Sequence, residues 1–159
     1  SHRRPTTDGA VTRSADGGVA LPEVDLVLGP RCAAAVARAI AANLVRSAHD
    51  ASEGGLLVAL AEMAFAGELG CSVELDGLPT GGRQLSPEAL AFAEDPSRYL
   101  LEVEPGSLAA LGAALDDVPH AVIGRVEEST EFTILVGGAV ASTPLWRLRE
   151  AWTKGAVLP

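Results

Sequence analysis

The sequence predicts an α/β fold of the α+β kind, in which helices flank a mixed β-sheet, and three observations lead to this fold class. Segments of helical periodicity alternate along the chain with segments of strand periodicity. Aromatic residues make up only 4% of the sequence, so the core must consist mainly of Leu, Val, Ile and Ala, which favours helices packed tightly on a sheet. The length of 159 residues is that of one domain, enough to bury about 70% of the unfolded surface.

The chain divides into a short polar segment and one folded domain. Residues 1–22 are polar and Gly-rich and lack periodicity, so we interpret them as a linker, disordered or left over from cloning. The domain itself is expected over 23–159. Its first half predicts, in order, a short strand or extended entry over 24–28, a helix over 31–45, a polar loop over 46–53 and a helix over about 54–65.

The second half of the domain predicts strands joined by helices. Cys71, Val73 and Leu75 alternate with polar residues, which is typical of a half-buried strand. A short helix can begin at Ser86, because Ser caps helices and the Pro that follows fits the first turn. We further expect a strand over 99–104, a helix over 107–117, two strands over 121–126 and 132–136 that form a hairpin, and a final helix that begins at Thr143-Pro144.

Composition and charge exclude several classes of function. The net charge is -9, whereas binding to a nucleic-acid backbone needs clustered Lys and Arg, so we expect no nucleic-acid partner. No apolar run approaches the roughly 20 residues of a membrane span and no secretory leader is recognisable, so we expect no membrane partner and a cytoplasmic location. The histidines and cysteines lack the spacing of metal ligands, so no metal site is predicted, and Cys32 and Cys71 are expected to be free thiols.

The densest polar chemistry lies in the loop 46–56. Its candidate site residues, expected to face a substrate or a phosphate group, are His49, Asp50, Ser52, Glu53, Gly54 and Gly55. Glycines in front of a helix allow close approach, and the first amides of a helix favour anions because they lack partners inside the helix. The spacing does not suit a catalytic triad, whose side chains converge from different elements, so no catalytic residue is predicted.

The same residue types leave a structural interpretation of this loop equally open. In that case Ser52 caps the second helix, and the two glycines permit a tight crossing of helix and sheet. His49 and Asp50 then serve to hydrogen-bond the loop.

A second polar cluster, residues 94–98, also has two interpretations. Glu94 and Arg98 form an internal ion pair that orders this segment, which the frequency of such surface pairs favours. Alternatively, the two residues support a cleft in which the Arg98 guanidinium meets a phosphate or a carboxylate.

Two stretches of the sequence resemble a known family. Residues 44–56, Leu-Val-Arg-Ser-Ala-His-Asp-Ala-Ser-Glu-Gly-Gly-Leu, with Ala-Leu-Ala-Glu at 59–62, closely resemble the last domain of the phosphoribosylformylglycinamidine synthases. More broadly, they resemble the C-terminal domain of the aminoimidazole ribonucleotide (AIR) synthetase superfamily. Phe-Ala-Glu at 92–94, with Arg98 after it, is similar to a second stretch of the family. The family usually has Asp at the position of Glu53.

The resemblance implies the fold of the AIR synthase C-terminal domain and a part in an ATP- and glutamine-dependent ligase of purine biosynthesis. In such a synthase ATP phosphorylates the amide oxygen of formylglycinamide ribonucleotide, and ammonia from glutamine displaces the phosphate to form an amidine. The resemblance further implies that ATP and Mg²⁺ are bound mainly by a preceding domain, so that this domain requires no cofactor of its own. The implied partners are that preceding domain and a glutaminase subunit or domain, and the isolated chain is expected to be inactive.

The resemblance leaves two alternatives. The chain is then a non-catalytic scaffold or interaction domain of the same synthase, or it belongs to a related ATP-dependent member of the superfamily. Thiamine-phosphate kinase and selenophosphate synthetase are such members.

Overall fold

The computed structural model describes residues 24–155, and no helix in this range is long and apolar enough to cross a membrane. Its helices are α1 (Leu28–Ala41), α2 (Gly55–Gly67), α3 (Pro87–Phe92), α4 (Leu108–Ala114) and α5 (Leu145–Lys154). Its strands are β1 (Ser47–Asp50), β2 (Gly70–Glu74), β3 (Tyr99–Glu102), β4 (Gly124–Glu127), β5 (Glu131–Val136) and β6 (Ala139–Pro144). The linker predicted over 1–22 lies outside the described residues and stays a prediction.

The strands form two separate sheets. β1 and β3 pair antiparallel, with Ser47 opposite Glu102 and Asp50 opposite Tyr99. The other four strands form a mixed sheet in the order β4-β2-β5-β6, in which β2 runs parallel to β5 and the other pairs are antiparallel. Helices α2, α3 and α5 all contact strands of this sheet. The predicted mixed sheet with flanking helices is confirmed, with β1 and β3 set apart from it.

The hairpin predicted for 121–126 and 132–136 is wrong. β4 and β5 do not pair with each other, because β2 lies between them and pairs with both. β2 is buried over most of its length, and an interior position leaves it no open edge. The hairpin is formed instead by β5 and β6, whose connecting residues Gly137 and Gly138 have φ of 58° and 75°. Positive φ at both central residues is what a two-residue type I′ turn requires.

The entry to the fold also differs from the prediction. Residues 24–28 form no strand, because α1 already begins at Leu28. The Asp25 carboxylate accepts hydrogen bonds from the amides of Val27 and Leu28 at 2.8 and 2.9 Å and so satisfies two donors at the helix start. Conversely, the predicted loop 46–53 contains strand β1, since its backbone pairs with β3 along four residues.

Helix α2 lies at the centre of the larger core. Glu62 is its one charged residue, and the helix contacts β1 and β3 as well as β2, α3 and α5. Leu56 of α2 and Leu75, which follows β2, are the largest completely buried side chains of this core. A smaller core lies between α1 and α4, where Ala39 and Leu111 are buried. The apolar sequence of α2 therefore matches a helix covered on several sides.

Gly124 of β4 lies opposite Val73 of β2. A β-carbon on it would lie 2.1 Å from the Ser72 carbonyl oxygen and 2.8 Å from the Val73 Cα, which are backbone atoms of the central strand. We expect Gly124→Ala to lower the free energy of unfolding by about 1–3 kcal/mol, as overpacking does. Gly112→Ala in α4 is the matched control, because nothing lies within 4 Å of the added carbon and Ala favours helix. Urea unfolding that finds both variants equally stable contradicts the predicted effect.

The two cysteines are free thiols, as predicted. Burial, followed by the nearby Glu127 carboxylate, raises the pKa of the Cys71 thiol from 9.0 to about 11. Below pH 9.0 the Cys71 thiol is neutral in both the folded and the unfolded chain. Between pH 9.0 and about 11 the thiol ionises first in the unfolded chain. Stability contributed by Cys71 is therefore lost as the pH rises from 9.0 to about 11. Thermal unfolding of Cys71→Ala should show a shallower decline across the same window, and an identical decline contradicts this assignment.

Candidate functional site

The polar loop lies at an open cleft of about 500 Å³. One side is formed by residues 48–52, the other by residues 94–99, and Val36 and Ile40 of α1 complete the lining. The structure brings five of the predicted site residues to this cleft, namely His49, Asp50, Ser52, Glu94 and Arg98. Glu53, Gly54 and Gly55 lie next to it, where the chain enters α2.

His49 and Asp50 end strand β1, so their side chains leave it on opposite faces. The His49 ring reaches α2, where its Nε2 lies 3.0 Å from Glu62 Oε2. Its Nδ1 lies 2.7 Å from the Asp50 carbonyl oxygen, while the Asp50 side chain is exposed. Glu62 is absent from the residues that the sequence predicts for the site, although a lone charge in an apolar helix is a signal that points to it.

Ser52 does not cap α2, so that part of the structural interpretation is wrong. Gly54 precedes the helix with a φ of 81°, and its amide donates to Glu94 Oε1 at 2.8 Å. The Ser52 side chain makes no cap bond, and its carbonyl oxygen accepts from the Gly55 amide at 3.0 Å. A carboxylate from the far side of the cleft thus occupies a position at the helix start that favours anions.

Gly55 brings the start of α2 against the end of α3. A β-carbon on Gly55, whose φ is 67°, would lie 2.6 Å from the Phe92 carbonyl carbon and 2.9 Å from the Ala93 carbonyl oxygen. The close approach expected of the glycines is therefore present, against a helix end and not against a sheet. Any side chain at this position would force the start of α2 away from the end of α3.

Arg98 pairs with Asp95, and the predicted ion pair with Glu94 is wrong. Arg98 Nη2 lies 2.5 Å from Asp95 Oδ2, while Glu94 is bonded to the Gly54 amide. Ser97 has a φ of 66° between them, a left-handed residue in the turn that carries Arg98 back toward Asp95. Asp95 is only 6% exposed, and removing one partner of a buried pair is strongly destabilising. Arg98 is therefore held by the protein itself.

The cleft is acidic in character. Arg98 is the one Arg or Lys among the residues that line it, and the Asp50 and Glu94 carboxylates are exposed there. Within residues 24–155, no three His, Cys, Asp or Glu side chains converge to hold a metal ion. The arrangement can shape a ligand surface, but it offers an anion little positive charge.

The sequence of the chain is similar to one part of a longer enzyme subunit found in several bacteria. A phosphoribosylformylglycinamidine synthase subunit PurL from Deinococcus radiodurans is 42% identical over 136 residues, and the one from Rhodospirillum rubrum is 40% identical over 134 residues. These alignments cover 83% and 82% of this chain but only 17% of each relative. The chain therefore spans about a sixth of the length of these relatives.

Solved structures share the fold. The structure titled PurLQS from Thermotoga maritima superimposes with a TM-score of 0.73 at 20% identity, covering 89% of this chain and 24% of the other. T. maritima PurL complexed with AMPPCP gives a TM-score of 0.71 at 22% identity, with the same coverage. The family model described as AIR synthase related protein, C-terminal domain, matches residues 2–137. With most of its length matched by that model, the chain belongs to the AIR synthase related family, as a C-terminal domain.

Proposed function

We propose that the chain is the C-terminal domain of a phosphoribosylformylglycinamidine synthase, the amidine-forming ligase of purine biosynthesis that uses ATP and glutamine. The observation that carries the proposal is the 42% identity over 136 residues with the D. radiodurans subunit. The chain spans only 17% of that relative. Following the family resemblance, we assign ATP and Mg²⁺ mainly to a preceding domain. That domain and a glutaminase are the proposed partners, and the cytoplasm is the proposed location.

In this proposal the cleft is one wall of a site that a preceding domain completes, with the loop 46–56 facing nucleotide or substrate phosphate. Related structures of T. maritima PurL are complexes with AMPPCP, ADP, ATP and FGAR, which supports a phosphate-bearing ligand. Because the exposed Asp50 and Glu94 carboxylates repel a phosphate group, this proposal requires the cations that balance the ligand's charge to lie on the opposite wall. The residues of this chain then position the ligand and exclude water.

A second candidate, a scaffold domain of the same synthase, is favoured by one specific contact. The Gly54 amide, which an anion would need, already binds the Glu94 carboxylate at 2.8 Å. Under this proposal the bond serves only to join the two sides of the cleft. The preceding domain then packs against a preassembled surface and performs the chemistry alone.

The two candidates differ on His49 and Ser52. We propose a chimaera in which this chain replaces the matching region of the D. radiodurans subunit, with both residues changed to Ala. If the loop faces ligand, turnover should fall about 10-fold to 100-fold, because misplaced groups lose catalytic alignment. If the domain is a scaffold, the double change should lower the stability of the chimaera and leave its turnover unchanged. His120→Ala with Ser107→Ala removes the same residue types outside the cleft and should leave turnover unchanged.

The isolated chain should form no amidine, because the proposal assigns ATP and Mg²⁺ mainly to a preceding domain. Formation of amidine by the isolated chain contradicts that assignment.

Glu94 gives an independent test on the chain alone. Glu94→Ala leaves the Gly54 amide without its partner, and we expect the free energy of unfolding to fall by about 1–2 kcal/mol, as for a lost helix cap. Glu53→Ala, an exposed neighbour, should change it by less than about 0.5 kcal/mol. If the amide belongs to an anion site, inorganic phosphate should shift its NMR resonance more in Glu94→Ala than in the native chain. Equal, negligible shifts favour the scaffold.

A further inference from the structure

Strand β6 forms one edge of the four-stranded sheet. Among the strands of residues 24–155 it pairs with β5 alone, so its outward N–H and C=O groups have no strand beside them. Proteins usually protect such an edge with charged side chains, and β4 at the opposite edge carries Arg125 and Glu127. β6 has the uncharged sequence Ala-Val-Ala-Ser-Thr-Pro, and its first four residues are exposed. Its outer edge is therefore open to a further strand.

An apolar groove of about 470 Å³ lies beside this edge. It is lined by Phe132 and Ile134 of β5, by residues 141–143 of β6, and by side chains of α2 and α5 that are mostly apolar. Trp152 of α5 belongs to this lining and is 59% exposed. Successive side chains of a strand point to opposite faces. A strand added to β6 would thus direct every second side chain toward the groove.

The α5 side of the groove is basic. Ala151 lines the groove, and Arg147 and Lys154 lie on the same face of the helix, four residues before it and three after it. Lys154 pairs with Glu150, whereas Arg147 has no recorded ion pair in the part of the chain that the structure describes. Residues 139–155 carry three basic side chains and one acidic side chain, although the whole chain has a net charge of -9. The charge of this surface fits an acidic partner.

A second copy of the chain fits the same surface poorly. Two β6 strands paired about a two-fold axis would set the same patch of each copy against the other. The basic α5 flanks, each with Arg147, would then lie on the two sides of one interface. Juxtaposed like charges are unfavourable, so the charge favours a different molecule with acidic groups.

We propose that the edge of β6 and the groove beside it bind an extended acidic segment of a partner protein, which adds a strand to the sheet. Main-chain hydrogen bonds to β6 supply affinity, and apolar side chains of the segment fill the groove at every second position. Its carboxylates meet the Arg147 guanidinium. The groove shares no lining residue with the cleft at loop 46–56, so the inference goes beyond the proposed function and does not depend on it.

The test is an NMR titration with hydrogen exchange on the full 159-residue chain. The probe is a capped peptide that alternates Val with Glu and has the six-residue length of β6, and its matched control alternates Val with Lys. In the free chain, the β6 amides that do not pair with β5 should exchange fast. At a Val–Glu peptide concentration of ten times its Kd, their exchange should slow about 10-fold. The Val–Lys peptide should bind about 5-fold more weakly or less.

Arg147→Glu tests the contribution of charge at an exposed position. It should weaken binding of the Val–Glu peptide by about 5-fold or more, because an attraction becomes a repulsion, and it should favour the Val–Lys peptide. Arg125→Glu on β4 is the matched control. It makes the same change in net charge at the opposite edge of the sheet, where the Arg125 side chain is 80% exposed, and should leave both affinities unchanged.

Four results overturn the proposal. Slow exchange of all β6 amides before any peptide is added shows that the chain itself covers the edge. A dimer whose formation protects these amides shows that a second copy occupies the site. Equal affinity for the two peptides removes the acidic partner. Failure of the Val–Glu peptide to protect β6 at about 1 mM, where even a weak complex forms, removes the strand addition.

Discussion

Helix α2 has almost no polar surface, and much of the architecture follows from the need to cover it. A helix that is apolar on all sides cannot be satisfied by one sheet, because a single sheet covers only one of its faces. Here α2 contacts the strands β1 and β3 as well as β2, and α3 and α5 pack against it too. The two sheets thus both contact the helix Gly55–Gly67 and cover more of it than a single sheet could.

The walls of the cleft are joined by contacts that the chain supplies itself. The Ala51 amide donates to the Arg98 carbonyl oxygen at 3.0 Å, and the Gly54 amide donates to Glu94. Gly55 packs on the end of α3, and Arg98 is paired with buried Asp95. Because these groups have internal partners, the shape of the cleft does not depend on a ligand. A ligand would meet a preformed surface, which limits the ordering entropy lost on binding.

The sequence predicts the elements with strong local signals and misses those decided by distant partners. The cap of α3 is correct, since the Ser86 hydroxyl oxygen accepts from the Ala89 amide at 3.2 Å. Strand β6 escapes detection because its first four residues are all exposed, which leaves no alternation to read. In the site, the polar residues cluster as expected, but their pairing does not follow from spacing. Glu94 accepts a hydrogen bond from the Gly54 amide, 40 residues away, and does not pair with Arg98. The reason is that the fold places Asp95 beside the Arg98 guanidinium.

The central position of β2 has a consequence for the order in which the chain can fold. Its parallel partner β5 places Phe132 opposite Cys71, so 61 residues separate the two strands at that point. At a synthesis rate of about 5–20 residues per second, the edge of β2 that pairs with β5 stays unpaired for roughly 3–12 seconds. Helix α2, made just before β2, is already available to cover the apolar face of β2. The pairing of β2 with β5 is instead a non-local contact, which requires loop closure over the intervening chain.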